Sequence, residues 1–297
     1  MDKRVWDEWK PRSVALASFV LLAPVLAHAG QPAAVVVDYD GAGSIVGERF
    51  GKPMELQLGS VLEEGDRLDV PRTGFVKLNR AGECQLLLSP EATVAEETGC
   101  SASRVSSYSV PASGLTGGVS SRYQQLAEVL GWWDPERKSK PMRSRESYAL
   151  RVPALDKVAK PSVVAGSRTF EVRWVDGKPP FRLSAILPGG KQIDGTVADG
   201  ARNGTIRADI EAGKAFRLVV ADATRTVSYT VYGTSGFADG NDGPPLDDYD
   251  RASRIVAAIS ESGGDWAFEG VQQIRGLTLD RRVKQALTNA IEYGDWP

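Results

Sequence analysis

Acid–base and nucleophilic catalysis draw most often on histidine, and this chain of 297 residues has a single one, His28. It has two cysteines, Cys84 and Cys100, an adjoining aromatic pair, Trp132-Trp133, and several doublets of carboxylates. Two cysteines without further imidazoles make a poor zinc site. No GxxxxGK[ST] phosphate loop and no GxGxxG after a strand occurs. Paired carboxylates can hydrolyse glycosides without histidine, but Glu63-Glu64, Glu96-Glu97 and Asp247-Asp248 fall in turns and linkers. Asp239, Asn241, Asp242 and Asp250 resemble a calcium loop, yet counting from Asp239 the sixth position is Pro244 and the twelfth is Asp250, which breaks the pattern. The expectation is no catalytic, cofactor-binding or metal residue, and no cofactor.

His28 itself belongs to a segment with its own logic. Residues 13–27 form an uncharged, mostly apolar run, preceded by Lys3, Arg4, Lys10 and Arg12 and followed by Ala27-His28-Ala29. A basic start, an apolar run shorter than the ~20 residues of a spanning helix and a small-x-small site read as a secretory signal peptide covering 1–29. Cleavage after Ala29 leaves a mature chain without histidine. The alternative is an uncleaved anchor. Export places the chain in the periplasm of a Gram-negative envelope, with no stable membrane span after cleavage. In that oxidising compartment Cys84 and Cys100 can pair, closing a loop of about 15 residues worth roughly 3 kcal/mol in the chain-entropy account. The alternative is two separate thiols.

The net charge of −2 offers no whole-molecule attraction to nucleic acid. Its distribution is uneven: residues 30–110 carry 12 acidic and 7 basic residues, 147–235 carry 8 and 13, and 236–297 carry 11 and 6. One reading is scatter over solvated faces. The other is a basic middle unit docked on acidic neighbours or on an acidic partner.

Residues 30–110 alternate apolar and polar positions between turn residues about ten apart, the mark of a small β-sandwich or β-roll. The strand AAVVVDYD precedes a glycine turn, a second turn lies at Glu63-Glu64-Gly65-Asp66, and a hairpin turns at Gly82. A last strand is expected over Thr93–Glu97. The order carried by Gly59, Val61, Leu62, Gly65, Asp66, Leu68, then Gly74, Val76, Leu78, then Leu86, Leu88 and Pro90, resembles the FecR-type periplasmic domain over residues ~33–108. Arg80-Ala81-Gly82-Glu83 departs from the Asp-Gly such domains commonly show in the central hairpin. The resemblance implies a β-rich envelope module that contacts other proteins or surface polymers. The regulator role of the family, which relays a signal to a cytoplasmic anti-sigma segment, is not carried over.

Residues 111–146 form a linker. A turn-rich VPASGLTGG leads into a helix with Val119, Tyr123, Leu126, Leu130 and Trp133 on one stripe, then a polar stretch broken by Pro135 and Pro141. Residues 147–235 read as an independent sandwich. Phe170, Val172 and Trp174 point inward with Glu171 and Arg173 outward, and inward sets follow at Ile206, Ala208, Ile210 and at Phe216, Leu218, Val220. The phrase RWVDGKPPFRL resembles the strand–turn–strand of bacterial immunoglobulin-like domains, which implies an Ig-like β-sandwich.

Residues 236–297 begin with an acidic linker and continue as three helices. The first runs from about Tyr249 to Ser262 behind an Asp247 or Asp248 cap and is stopped by Gly263-Gly264. The second lies behind Asp265, and the third begins at Thr278 and closes at Gly294. The helices pack on the β units or on a partner.

The fold class expected is therefore mainly β: a FecR-type unit, an Ig-like sandwich, a linker helix and a C-terminal helical extension. The function expected is a non-catalytic exported protein that binds another envelope protein, as a sensor- or signalling-associated scaffold, with Trp132 and Trp133 as contact residues. One alternative is a glycan- or peptidoglycan-binding module with Trp132, Trp133 or Trp174 as stacking platforms. A second is a carboxylate-dependent glycan hydrolase.

Overall fold

The computed structural model describes residues 32–40, 45–80, 84–90, 107–111, 124–126, 128–130, 149–156, 158–237, 245 and 247–293. The chain is mainly β, with several sheets and C-terminal helices. The first unit contains two four-stranded antiparallel sheets. One has the order β4-β1-β6-β7, built from β1 (Pro32–Asp40), β4 (Val61–Glu63), β6 (Phe75–Arg80) and β7 (Cys84–Leu88). The other has the order β3-β2-β5-β8, from β2 (Val46–Arg49), β3 (Lys52–Met54), β5 (Arg67–Asp69) and β8 (Ser107–Ser109). Alternation decides which side is buried: Val76 and Leu78 of β6 lie opposite Leu88 and Leu86 of β7 and share the core with Leu62 and Leu68. The expected turn is present, with Gly65 at φ +86° and the Asp66 amide bonded to the Glu63 carbonyl at 3.1 Å. The expected strand over 93–97 lies outside the described residues. Residues 124–126 and 128–130 are helical, with Leu126 and Leu130 fully buried.

The second unit packs a three-stranded sheet, β10-β14-β13, against a five-stranded one, β12-β11-β15-β16-β9. The first comprises β10 (Gly166–Arg173), β13 (Thr196–Val197) and β14 (Asn203–Ile210), and the second β9 (Ser162–Val164), β11 (Arg182–Ile186), β12 (Gln192–Asp194), β15 (Ala215–Ala221) and β16 (Thr226–Thr234). Along β14 buried and exposed residues alternate without a break, placing Ile206, Ala208 and Ile210 in the core. They meet Phe170 and Val172 of β10, Trp174 just after it, and Phe216, Leu218 and Val220 of β15, and the Phe170 and Phe216 rings lie 6.3 Å apart across the sandwich. Each fully buried Val, Leu, Ile or Phe among them contributes about 1.5–3 kcal/mol. Trp174 is wholly buried against Phe181, 5.5 Å between rings, which makes it core.

The C-terminal helices are α1 (Asp248–Glu261), α2 (Ala267–Gly276) and α3 (Arg281–Tyr293). Asp247 caps α1, its carboxylate accepting from the Asp250 amide at 2.7 Å. Gly263 and Gly264 both take left-handed backbone just after α1, where they stop it. The last helix starts three residues later than Thr278. Asp280, just before it, uses its carboxylate to accept from Lys77 Nζ at 2.9 Å and from the Tyr249 hydroxyl, which fixes the turn from which α3 begins.

The helices dock on both β units. Arg282 donates to Asp38 Oδ1 at 3.0 Å and to the Tyr39 carbonyl at 2.7 Å, and lies over the Tyr39 ring. On the other side, Arg168 and Arg173 of β10 reach Glu269 of α2 at 2.9 Å and Glu292 of α3 at 3.1 Å. Side chains of β10 are thus tied to the helices at Arg168 and Arg173, with Arg173 still half exposed. The charge asymmetry between the basic middle unit and the acidic C-terminal unit is spent partly inside the molecule, at carboxylates only 1% and 3% exposed. Among the described residues no helix is long and apolar enough to cross a membrane.

Candidate binding surface at the Phe50 hairpin

The register of β2 on β3 pairs Arg49 with Lys52 and leaves Phe50 and Gly51 as a two-residue turn. Both have positive φ, +50° and +75°. A turn of this kind matches the strand twist but wants Asn, Asp or Gly at both positions. For a bulky side chain such backbone is a true outlier, and the left-handed conformation costs roughly 1–2 kcal/mol. The ring gains little from burial in return, since Phe50 is 75% exposed. A strained residue that contributes little to folding points to a task outside it.

The hairpin is held rigidly from below. Arg49 is bidentate on Asp66, with Nε to Oδ1 at 2.9 Å and Nη2 to Oδ2 at 2.6 Å, and it also reaches Glu63 Oε1 at 2.7 Å and the Val61 carbonyl at 2.9 Å. The hydrogen bond to Asp66, opposed by burial, and the nearby carboxylates raise the guanidinium's pKa further. Asp66 is 2% exposed and also accepts the Glu63 amide at 2.8 Å. Gly47 lets β3 close on β2, because a Cβ there would lie 2.5 Å from the Met54 side chain.

Beside the exposed ring lies a cleft of about 570 Å³, lined by Glu48, Glu64, Arg67, Ser107 and Ser109 as well as Phe50. Arg67 donates to Ser107 Oγ at 3.0 Å and sits 3.4 Å from Asp69. An aromatic knob beside a polar, hydrogen-bonding rim has the composition of a protein-interaction anchor.

Of the residues expected to act, Cys84 contributes its backbone to β7 opposite Arg80, while its side chain, Cys100 and the whole of Trp132-Trp133 lie outside the described residues. Residues 1–29 lie outside them as well. Phe50 was not legible as a site. Its one signal is an aromatic followed by glycine between alternating segments, where turn chemistry asks for a small polar residue. Among the described residues no three His, Cys, Asp or Glu side chains gather as a metal site. No protein-family model and no curated protein matches this chain.

Proposed function

We propose that this chain is a non-catalytic exported scaffold of the Gram-negative periplasm that binds another envelope protein, with Phe50 as the anchor. The observation that carries the reading is the largely exposed ring on a strained turn over a locked Arg49–Asp66 base. The pair of four-stranded antiparallel sheets supports a FecR-type unit, and the two-sheet packing of 162–234 supports an Ig-like one. The helices fix the two units to one another, which suits a scaffold better than two tethered modules. The test is capture from periplasmic extract at low and moderate salt by wild type and by Phe50→Ser. A specific protein retained by the first and lost from the second, at equal thermal stability, is the expected result. Capture of no specific protein, or equal capture by both, overturns it.

A second reading rests on the same cleft. A ring face beside carboxylates and hydroxyls is also the make-up of a sugar-stacking site, so a glycan-binding module is the rival. Saturable heat of binding with peptidoglycan fragments, abolished by Phe50→Ser, would favour it over the protein partner.

A further inference from the structure

A second groove is cationic. It measures about 470 Å³ and is formed where β10, the end of α2 and the exposed side of α3 meet. Its charged lining is Arg173, Arg275, Arg281 and Lys284, and no carboxylate is among its lining residues. This is a concentration against the local trend, because residues 236–297 are acidic overall, with 11 acidic and 6 basic side chains. Two of the four cations are pinned from beneath. Glu292, 3% exposed, accepts from Arg173 at 3.1 Å and from Arg275 at 3.3 Å, and Glu171 sits 3.3 Å from Arg275. Lys284 donates to the Arg275 carbonyl at 3.3 Å. The two carboxylates leave two positive charges unbalanced, and held guanidiniums lose less side-chain entropy on meeting an anion.

The rest of the groove is polar without charge. Gln285, Thr288 and Asn289 continue along α3 from Arg281, and Leu279 closes one end. At 1.5 Å per residue, 281 to 289 spans about 12 Å, the length of roughly four residues of extended chain. Arg281 and Lys284 lie at the start of α3, where the helix dipole also favours negative charge, while Arg173 and Arg275 reach Glu292 near its end. Amide and hydroxyl groups of Gln285, Thr288 and Asn289, which both donate and accept, lie between the two pairs of cations, suited to a peptide backbone. A single phosphate would use one end of this groove and leave the rest empty.

We propose that this groove binds a short extended segment rich in Asp and Glu on the chain's protein partner. The inference rests on the reading that the partner is a protein, and it assigns that partner's chemistry at a surface separate from Phe50.

The test is fluorescence anisotropy with a labelled, acetylated hexapeptide of alternating Asp and Glu, beside its Asn/Gln counterpart and with inorganic phosphate as competitor. Wild type should bind the acidic peptide saturably, and far more weakly as salt rises through the physiological range. Arg281→Glu/Lys284→Glu should weaken binding by about tenfold or more, and Gln285→Lys should strengthen it, each with unchanged thermal stability. No binding, equal binding of the Asn/Gln peptide, full competition by millimolar phosphate, or indifference to both variants overturns the assignment. Phe50→Ser should bind the peptide as wild type does. Failure to capture any protein from extract, with peptide binding intact, would count against the scaffold reading alone.

Discussion

The side-chain amide of Gln272 hydrogen-bonds both backbone groups of Glu171, Oε1 accepting from the amide N–H and Nε2 donating to the carbonyl, each at 2.9 Å. Glu171 lies on β10, an edge strand, so Gln272 stands where a neighbouring strand would be. Three residues earlier on the same helix, Glu269 accepts the Val164 amide of β9, the edge of the other sheet, at 3.2 Å. Phe268, adjacent to it, stacks on Phe170 at 5.9 Å. One helix thus covers one open edge of each sheet of the sandwich.

Gln272→Ala should leave the Glu171 amide N–H without its partner, the carbonyl keeping its bond from Arg275 at 3.2 Å, and cost roughly 1–3 kcal/mol. Chemical denaturation gives the loss, and hydrogen exchange should quicken at the Glu171 amide. Unchanged protection there would mean the edge is held by other contacts.

Phe50→Asn should stabilise the protein by about 1 kcal/mol, because Asn accepts the left-handed turn that Phe50 is forced into. Calorimetry reads the gain. The same variant should lose partner capture, an exchange of activity for stability.

Asp222 accepts amide N–H bonds from Thr224 first and then from Lys178 and Arg225, which outweigh its desolvation and hold its carboxyl down to about 2. Its folded pKa is lowered, so its stabilising contribution is complete above about pH 4. That contribution is lost as pH falls towards about 2. Asp222→Asn should lower stability at neutral pH and flatten the acid limb between those values. Urea unfolding across pH 2–7 checks both, and an unaltered acid limb would remove Asp222 as its source.

Lys77→Ala with Arg282→Ala should loosen the first β unit from the helices, at a cost of roughly 1–3 kcal/mol for the charged hydrogen bonds lost. Differential scanning calorimetry should then resolve two transitions in place of a single cooperative one. A single transition, merely shifted, would show that apolar contacts alone couple the units.

Strand alternation made the core of both β units readable: Val76 and Leu78, Phe170 and Val172, and Ile206 and Ala208 are all buried as their parity requires. The Asp247 cap and the Gly263-Gly264 stop were equally plain, since capping chemistry is local. Gln272 and Glu269 were opaque for the opposite reason. On a helix they read as solvated polar residues, and only the arrival of β9 and β10 from a hundred residues away makes them backbone partners. The cationic groove was hidden in the same way, because Arg173, Arg275 and Arg281 come from three separate elements. Phe50 carries no such signal, because apolar periodicity assigns exposed rings to no pattern at all.

Synthesis runs from the N-terminus, so β9 and β10 emerge well before α2. Until residues 267–276 arrive, both strands offer bare hydrogen-bonding rims to any neighbouring polypeptide. A product ending near residue 236 would keep those rims for good, and should self-associate more readily than the longer chain.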